Sequence, residues 1–139
     1  MKKNAIGFYF NVLAAILGIA GLVCTVLSSS GDNALSGLST VIAAGVVAIA
    51  LVIVAIYSPM KNGNHDPIAA VSVIAAIALF MYVFNQCVSQ RVMLIAGLFS
   101  FNANNAAGWT VFSFVVGAAV CLLAANILLV IGSFCKSVK

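Results

Sequence analysis

The sequence predicts an all-α, polytopic membrane protein: an up-down bundle of four transmembrane helices, with a short apolar segment, interfacial or re-entrant, in the third connection. Three observations predict it. The 139 residues are 65% hydrophobic and only 6% charged, whereas a soluble globular domain carries about 25% charged residues. The mean hydropathy of +1.26 also excludes a disordered chain, because disordered chains are poor in apolar residues and rich in charge. Finally, the charges Lys2, Lys3, Asp32, Lys61, Asp66, Arg91, Lys136 and Lys139 divide the chain into uncharged runs at 4–31, 33–60, 67–90 and 92–135. A helix needs about 20 apolar residues to cross a hydrocarbon core, and a charge at its centre costs at least about 2.5 kcal/mol on insertion scales. Each run is therefore long enough to cross, and each charge belongs near water. The whole chain, 1–139, reads as one membrane domain.

The first span is expected at 5–27. It ends in the polar turn Ser28-Ser29-Ser30-Gly31-Asp32-Asn33. The competing reading is a cleaved signal peptide, with Lys2-Lys3 as its basic start and Ser28-x-Ser30 as its cleavage site. The apolar stretch is too long for that, since signal sequences use about 7–15 apolar residues. The second span is expected at 35–57, stopped by Pro59 and the stretch Lys61-Asn62-Gly63-Asn64-His65-Asp66. Asp66-Pro67 then reads as an N-cap followed by proline at the first helical position, which opens the third span at 67–86. The fourth run could hold two crossings by length. The break Asn102, Asn104, Asn105 and Gly108 leaves one full span after it, at 109–134. Isolated strands are excluded, because the runs are continuously apolar and only closed barrels satisfy strand backbones in lipid.

Between Arg91 and that break lies Val92-Met93-Leu94-Ile95-Ala96-Gly97-Leu98-Phe99, apolar but too short to span. Three forms are open to it: an outward extension of the third helix, a short interfacial or lid-like helix, or a re-entrant hairpin covered by protein. The lid-like helix is the favoured form.

The positive-inside rule orients the bundle. A cytoplasmic N-terminus puts Lys2, Lys3, Lys61, Lys136 and Lys139 inside and only Arg91 outside. Both termini are thus expected in the cytoplasm, across a cell membrane of the bacterial inner-membrane kind. The net charge of +4 is mostly this topology signal. It is not a nucleic-acid footprint, because the lysines come in ones and twos.

Helices in lipid associate through close packing of small residues and through hydrogen bonds. Gly7, Asn11, Ala14, Gly18, Gly21 and Thr25 follow one another at 4, 3, 4, 3 and 4 residues, a single heptad seam on the first span. Ser113, Gly117, Cys121 and Ala125 form a second stripe at four-residue spacing. Such stripes either pack the bundle internally or dock a partner. Two amides, Asn11 and Asn126, are embedded at what the distances to Lys3 and Lys136 suggest is a similar depth. They are expected to hydrogen-bond across neighbouring first and fourth helices or to backbone.

No Asp, Glu, Lys, Arg or His falls inside a span, which argues against a proton-coupled carrier. His65 beside Asp66 reads as a solvated turn. Cys24, Cys87, Cys121 and Cys135 contain no C-x-x-C pattern. Cys24 and Cys87 are expected near the same face, close enough for a disulfide to be considered. Cys121 fits a packing position, and Cys135 is a thiol open to acylation. No catalytic, cofactor or metal residues are expected, and an enzyme is not expected. The expected function is an accessory, scaffold or regulatory subunit that associates with the lipid bilayer, with further copies of itself or with a larger membrane protein. The alternative is an oligomeric passive channel or facilitator for a small neutral solute or ion, lined by Asn11, Thr25, Ser113 and Asn126.

Overall fold

The computed structural model describes residues 5–29, 36–62, 66–100, 104 and 106–136. It is helical, with no strand among the described residues. The helices are α1 (Ile6–Ser28), α2 (Leu38–Asn62), α3 (Pro67–Ser89), α4 (Val92–Ser100) and α5 (Ala106–Phe134). Four of them, α1, α2, α3 and α5, are long and apolar enough to cross a membrane. In hydrocarbon the backbone must satisfy its own hydrogen bonds, and a continuous helix does so.

The four long helices form a ring in which α1 borders α5 and α2, and α3 borders α2 and α5. Gly7 N–H of α1 donates to the Lys136 carbonyl just beyond α5, at 2.9 Å. The start of α1 and the end of α5 therefore meet at one end of the bundle, the tail end. That bond also serves the start of α1, whose N-cap, Ala5, has no side chain able to cap it. A Cβ at Gly7 would lie 2.8 Å from the Lys136 oxygen, so the approach requires glycine.

The core lies between all four long helices. Ala14, Val41, Ala48, Val52, Ala76, Phe80, Val83, Leu122, Ala125 and Leu129 are buried within it. Outward positions such as Ile16, Val46, Val71, Ile74, Val120 and Ile127 are apolar and exposed, the pattern of a bundle whose surrounding solvent is itself apolar.

One expectation about a boundary is corrected, and one of the three forms open to the segment after Arg91 is set aside. Proline does not stop the second span: α2 runs through Pro59 to Asn62. Pro59 removes the N–H that would bond four residues back and crowds the carbonyl there, a cost that membrane helices tolerate. The third helix does not extend past Arg91. It ends at Ser89, and a turn at Gln90 and Arg91 separates it from α4. Asp66 caps α3 as expected, accepting from Ile68 N–H at 2.9 Å with Pro67 at the first position. Ser30, Asp32, His65 and Asn102, with Lys2 and Lys3, lie outside the described residues.

Helix α4 lies over the far end of the bundle. Its Leu94 and Ile95 pack on a second cluster of Cys87, Val111, Val115 and Ala118, and Gly97 and Leu98 are buried. Phe99 meets Trp109 and Phe112 of α5 edge-on, with ring centroids 5.4 and 5.5 Å apart. Such T-shaped contacts suit the quadrupoles of aromatic rings.

Candidate functional site

The buried residues of α1 are Gly7, Asn11, Ala14, Gly18, Gly21, Thr25 and Ser28. They are the six seam positions plus one more at the same spacing. Each glycine of the seam admits a specific neighbour. A Cβ at Gly18 would come within 2.6 Å of Phe80 Cζ on α3. One at Gly21 would meet Leu122 Cγ at 2.9 Å and the Cys121 Cβ at 3.3 Å on α5. Thr25 is fully buried, and its hydroxyl donates to the Gly21 carbonyl at 2.9 Å. The seam is thus occupied by this chain's own helices.

The second stripe does not lie on one face. Ser113 is exposed and donates to the Trp109 carbonyl, Gly117 and Cys121 are half-buried, and only Ala125 is fully buried. The buried face of α5 runs instead through Val111, Val115, Ala118, Leu122, Ala125 and Leu129. Its spacing alternates four and three, as a helical seam requires. A strict four-residue stripe advances about 40° per step on a helix of 3.6 residues per turn and so leaves the interface.

First and fourth spans do neighbour each other, but their register separates the two amides. Gly7 lies against Lys136, Asn11 against Gly132 and Gly21 against Leu122. Asn126 therefore falls level with Leu17, about 9 Å along the helix from Asn11 at 1.5 Å per residue. The expected bonds are not made. Asn11 is 5% and Asn126 7% exposed, yet Asn11 Oδ1 and both polar atoms of the Asn126 amide have no hydrogen-bond partner. Counting from Lys3 and Lys136 sets Asn11 level with Leu128, whereas the glycine contact at the tail end sets it level with Gly132, a shift of four residues.

At the far end, the turn after α3 fastens the first connection from both sides. Gln90 accepts from Ser36 N–H at 2.7 Å and donates to the Ser36 carbonyl at 3.2 Å. Arg91 Nη2 donates to the Ser28 carbonyl at 2.8 Å, at the end of α1 where carbonyls lack helical partners. Arg91 is only 5% exposed and its Nε has no partner. Burial pulls its guanidinium below the ordinary arginine value, partly offset by the neighbouring Cys87 thiol. The C-terminal dipole end of α1 supplies the negative potential that makes this position tolerable. In the sequence Arg91 reads only as a membrane-boundary charge, because its capping role depends on how the end of α3 meets the end of α1.

The four cysteines are free thiols, Cys24 and Cys87 included. No cluster of metal-ligating residues occurs among the described residues.

At the tail end a cleft of about 260 Å³ opens between α1, α2, α3 and α5. Asn11, Asp66, Ser133 and Cys135 form its polar wall, and Ala55, Val73 and Ile77 lie on its apolar side. Asp66 is buried there and accepts from the Ser58 hydroxyl. It is the one place among the described residues where a buried acid and an unpartnered buried amide line a common space.

The chain matches no protein-family model, and neither curated proteins nor solved structures give a match to it.

Proposed function

We propose that this protein is a non-enzymatic accessory or scaffold subunit of a membrane assembly. It sits as a multi-pass protein in a cytoplasmic membrane with both termini on the cytoplasmic side. The observation that carries the reading is the use of the polar and small residues. Asn11, Thr25 and Asn126 are buried between helices, Thr25 bonds its own helix, and Ser113 faces outward. These four residues do not converge on one passage, and Phe80, Leu122 and Leu129 fill the centre. That favours action through the outer surface over conduction through the bundle. The orientation rests on the lysine bias of the tail end.

The test is native mass spectrometry after extraction in a mild detergent, beside a liposome flux assay. The proposal expects a reproducible complex of fixed stoichiometry, larger than one 14.3 kDa chain, and no solute flux. A strictly monomeric protein would contradict it. Flux of a small neutral solute that Asn126→Leu abolishes would establish the facilitator reading instead.

A further inference from the structure

A second opening at the tail end carries an inference independent of the accessory role. A groove of about 350 Å³ lies between the last turns of α2 and the first turn of α3. Ile53, Val54, Tyr57, Ser58 and Lys61 line it from successive turns of α2, and Ile68 lines it from α3. Between Ile53 and Lys61 the helix rises about 12 Å. Over that rise the lining changes from two aliphatic side chains, through an aromatic ring with a hydroxyl, to an ammonium. Ile53, Val54, Tyr57, Lys61 and Ile68 are all exposed. Ser58 is buried and gives its hydroxyl to Asp66, which is buried as well. Lys61 is the one charged residue among the described residues that line the groove.

This gradient matches a phospholipid at the boundary of a bilayer. Tyrosine prefers the headgroup level, where its ring meets apolar and its hydroxyl polar surroundings. A lysine near the end of a span extends its ammonium to the same level. A cation above apolar walls favours a headgroup of net negative charge, and basic pockets between membrane helices hold such headgroups. A soluble anion would leave the walls at Ile53, Val54 and Ile68 without a partner. We propose that this groove binds one anionic phospholipid, with the Lys61 ammonium on its phosphate, Tyr57 at headgroup level, and Ile53, Val54 and Ile68 against its acyl chain. The inference needs a membrane around the bundle but no particular side for the tail end.

The experiment places the full chain in nanodiscs of equal parts phosphatidylglycerol, which is anionic, and phosphatidylcholine, which carries no net charge. Native mass spectrometry then counts the lipids that the released chain retains. The proposal expects phosphatidylglycerol to be retained in preference to phosphatidylcholine. Lys61→Gln is expected to lower that preference about fivefold, the scale of one lysine at an anionic surface. Lys61→Arg is expected to keep it. Lys136→Gln, which removes an exposed lysine outside the groove, is expected to leave it unchanged. Ile68→Trp, which fills the groove without touching its charge, is expected to reduce the retained phosphatidylglycerol. Equal retention of the two lipids, equal losses in Lys61→Gln and Lys136→Gln, or unchanged retention in either Lys61→Gln or Ile68→Trp would overturn the proposal.

Discussion

Gly18 of α1 and the ring of Phe80 on α3 occupy one place in the bundle: a Cβ on Gly18 would stand 2.6 Å from Phe80 Cζ. Phe80 is fully buried, so its ring cannot swing aside into open space. Forcing even a methyl group into a well-packed core costs about 1–3 kcal/mol. Gly18→Ala is therefore expected to lower the unfolding free energy in detergent by that amount, with a lower thermal midpoint. Gly18→Ala with Phe80→Leu is expected to recover part of the loss, which a double-mutant cycle measures directly. Additive losses would refute the contact.

Asn126 makes the opposite prediction. Both polar atoms of its amide are buried and unpartnered, and such groups cost about 1–3 kcal/mol to bury. Asn126→Leu, similar in size and apolar, is expected to raise the unfolding midpoint. A drop would show that the amide has a partner in the membrane.

Arg91 fastens the end of α1 through the Ser28 carbonyl. Hydrogen bonds to charged groups are worth about 1.5–3 kcal/mol. Arg91→Ala is expected to lose stability on that scale and to speed hydrogen exchange in the last turn of α1. Arg91→Lys, lacking the planar fork, is expected to restore only part of it. Exchange unchanged in Arg91→Ala would dismiss the capping role.

At the tail end, Gly7 brings α1 onto the backbone after α5, with the Lys136 and Cys135 carbonyl oxygens 2.8 and 2.9 Å from where a Cβ would be. Backbone cannot yield as a side chain does. Gly7→Val is expected to break the Gly7–Lys136 hydrogen bond and to raise protease cleavage near the chain ends, while the far-end turn at Gln90 and Arg91 stays intact. Equal cleavage of wild type and variant would count against this pairing.

The parts of this architecture governed by local chemistry were legible in the sequence. Uncharged runs located the four long helices to within a few residues, and Asp66-Pro67 located the start of α3. The 4-3 spacing of Gly7 to Thr25 located the buried face of α1, because that spacing alone keeps residues on one side of a helix. What the sequence concealed depends on register between distant segments. The four-spaced stripe from Ser113 reads like a seam but turns around α5: Gly117 and Cys121 lie beside Cys24 and Gly21 of α1 while Ser113 is exposed, and the fully buried face of α5 is disguised because its members are Val, Ala and Leu like their neighbours. The pairing of Asn11 with Gly132, and hence the cleft beside Asp66, follows from how far α5 slides along α1. No local signal encodes that offset.

The proposed topology has four spans, with the start of α1 and the end of α5 both on the cytoplasmic side. It is tested by single cysteines at Ser36, Lys61 and Lys136, all exposed positions, in a chain whose four native cysteines are replaced by alanine. Intact cells are treated with a membrane-impermeant maleimide. The account predicts labelling of Ser36→Cys from outside, with Lys61→Cys and Lys136→Cys labelled only after permeabilisation. Labelling of Lys61→Cys and Lys136→Cys from opposite sides, or of Ser36→Cys and Lys136→Cys from the same side, would contradict it.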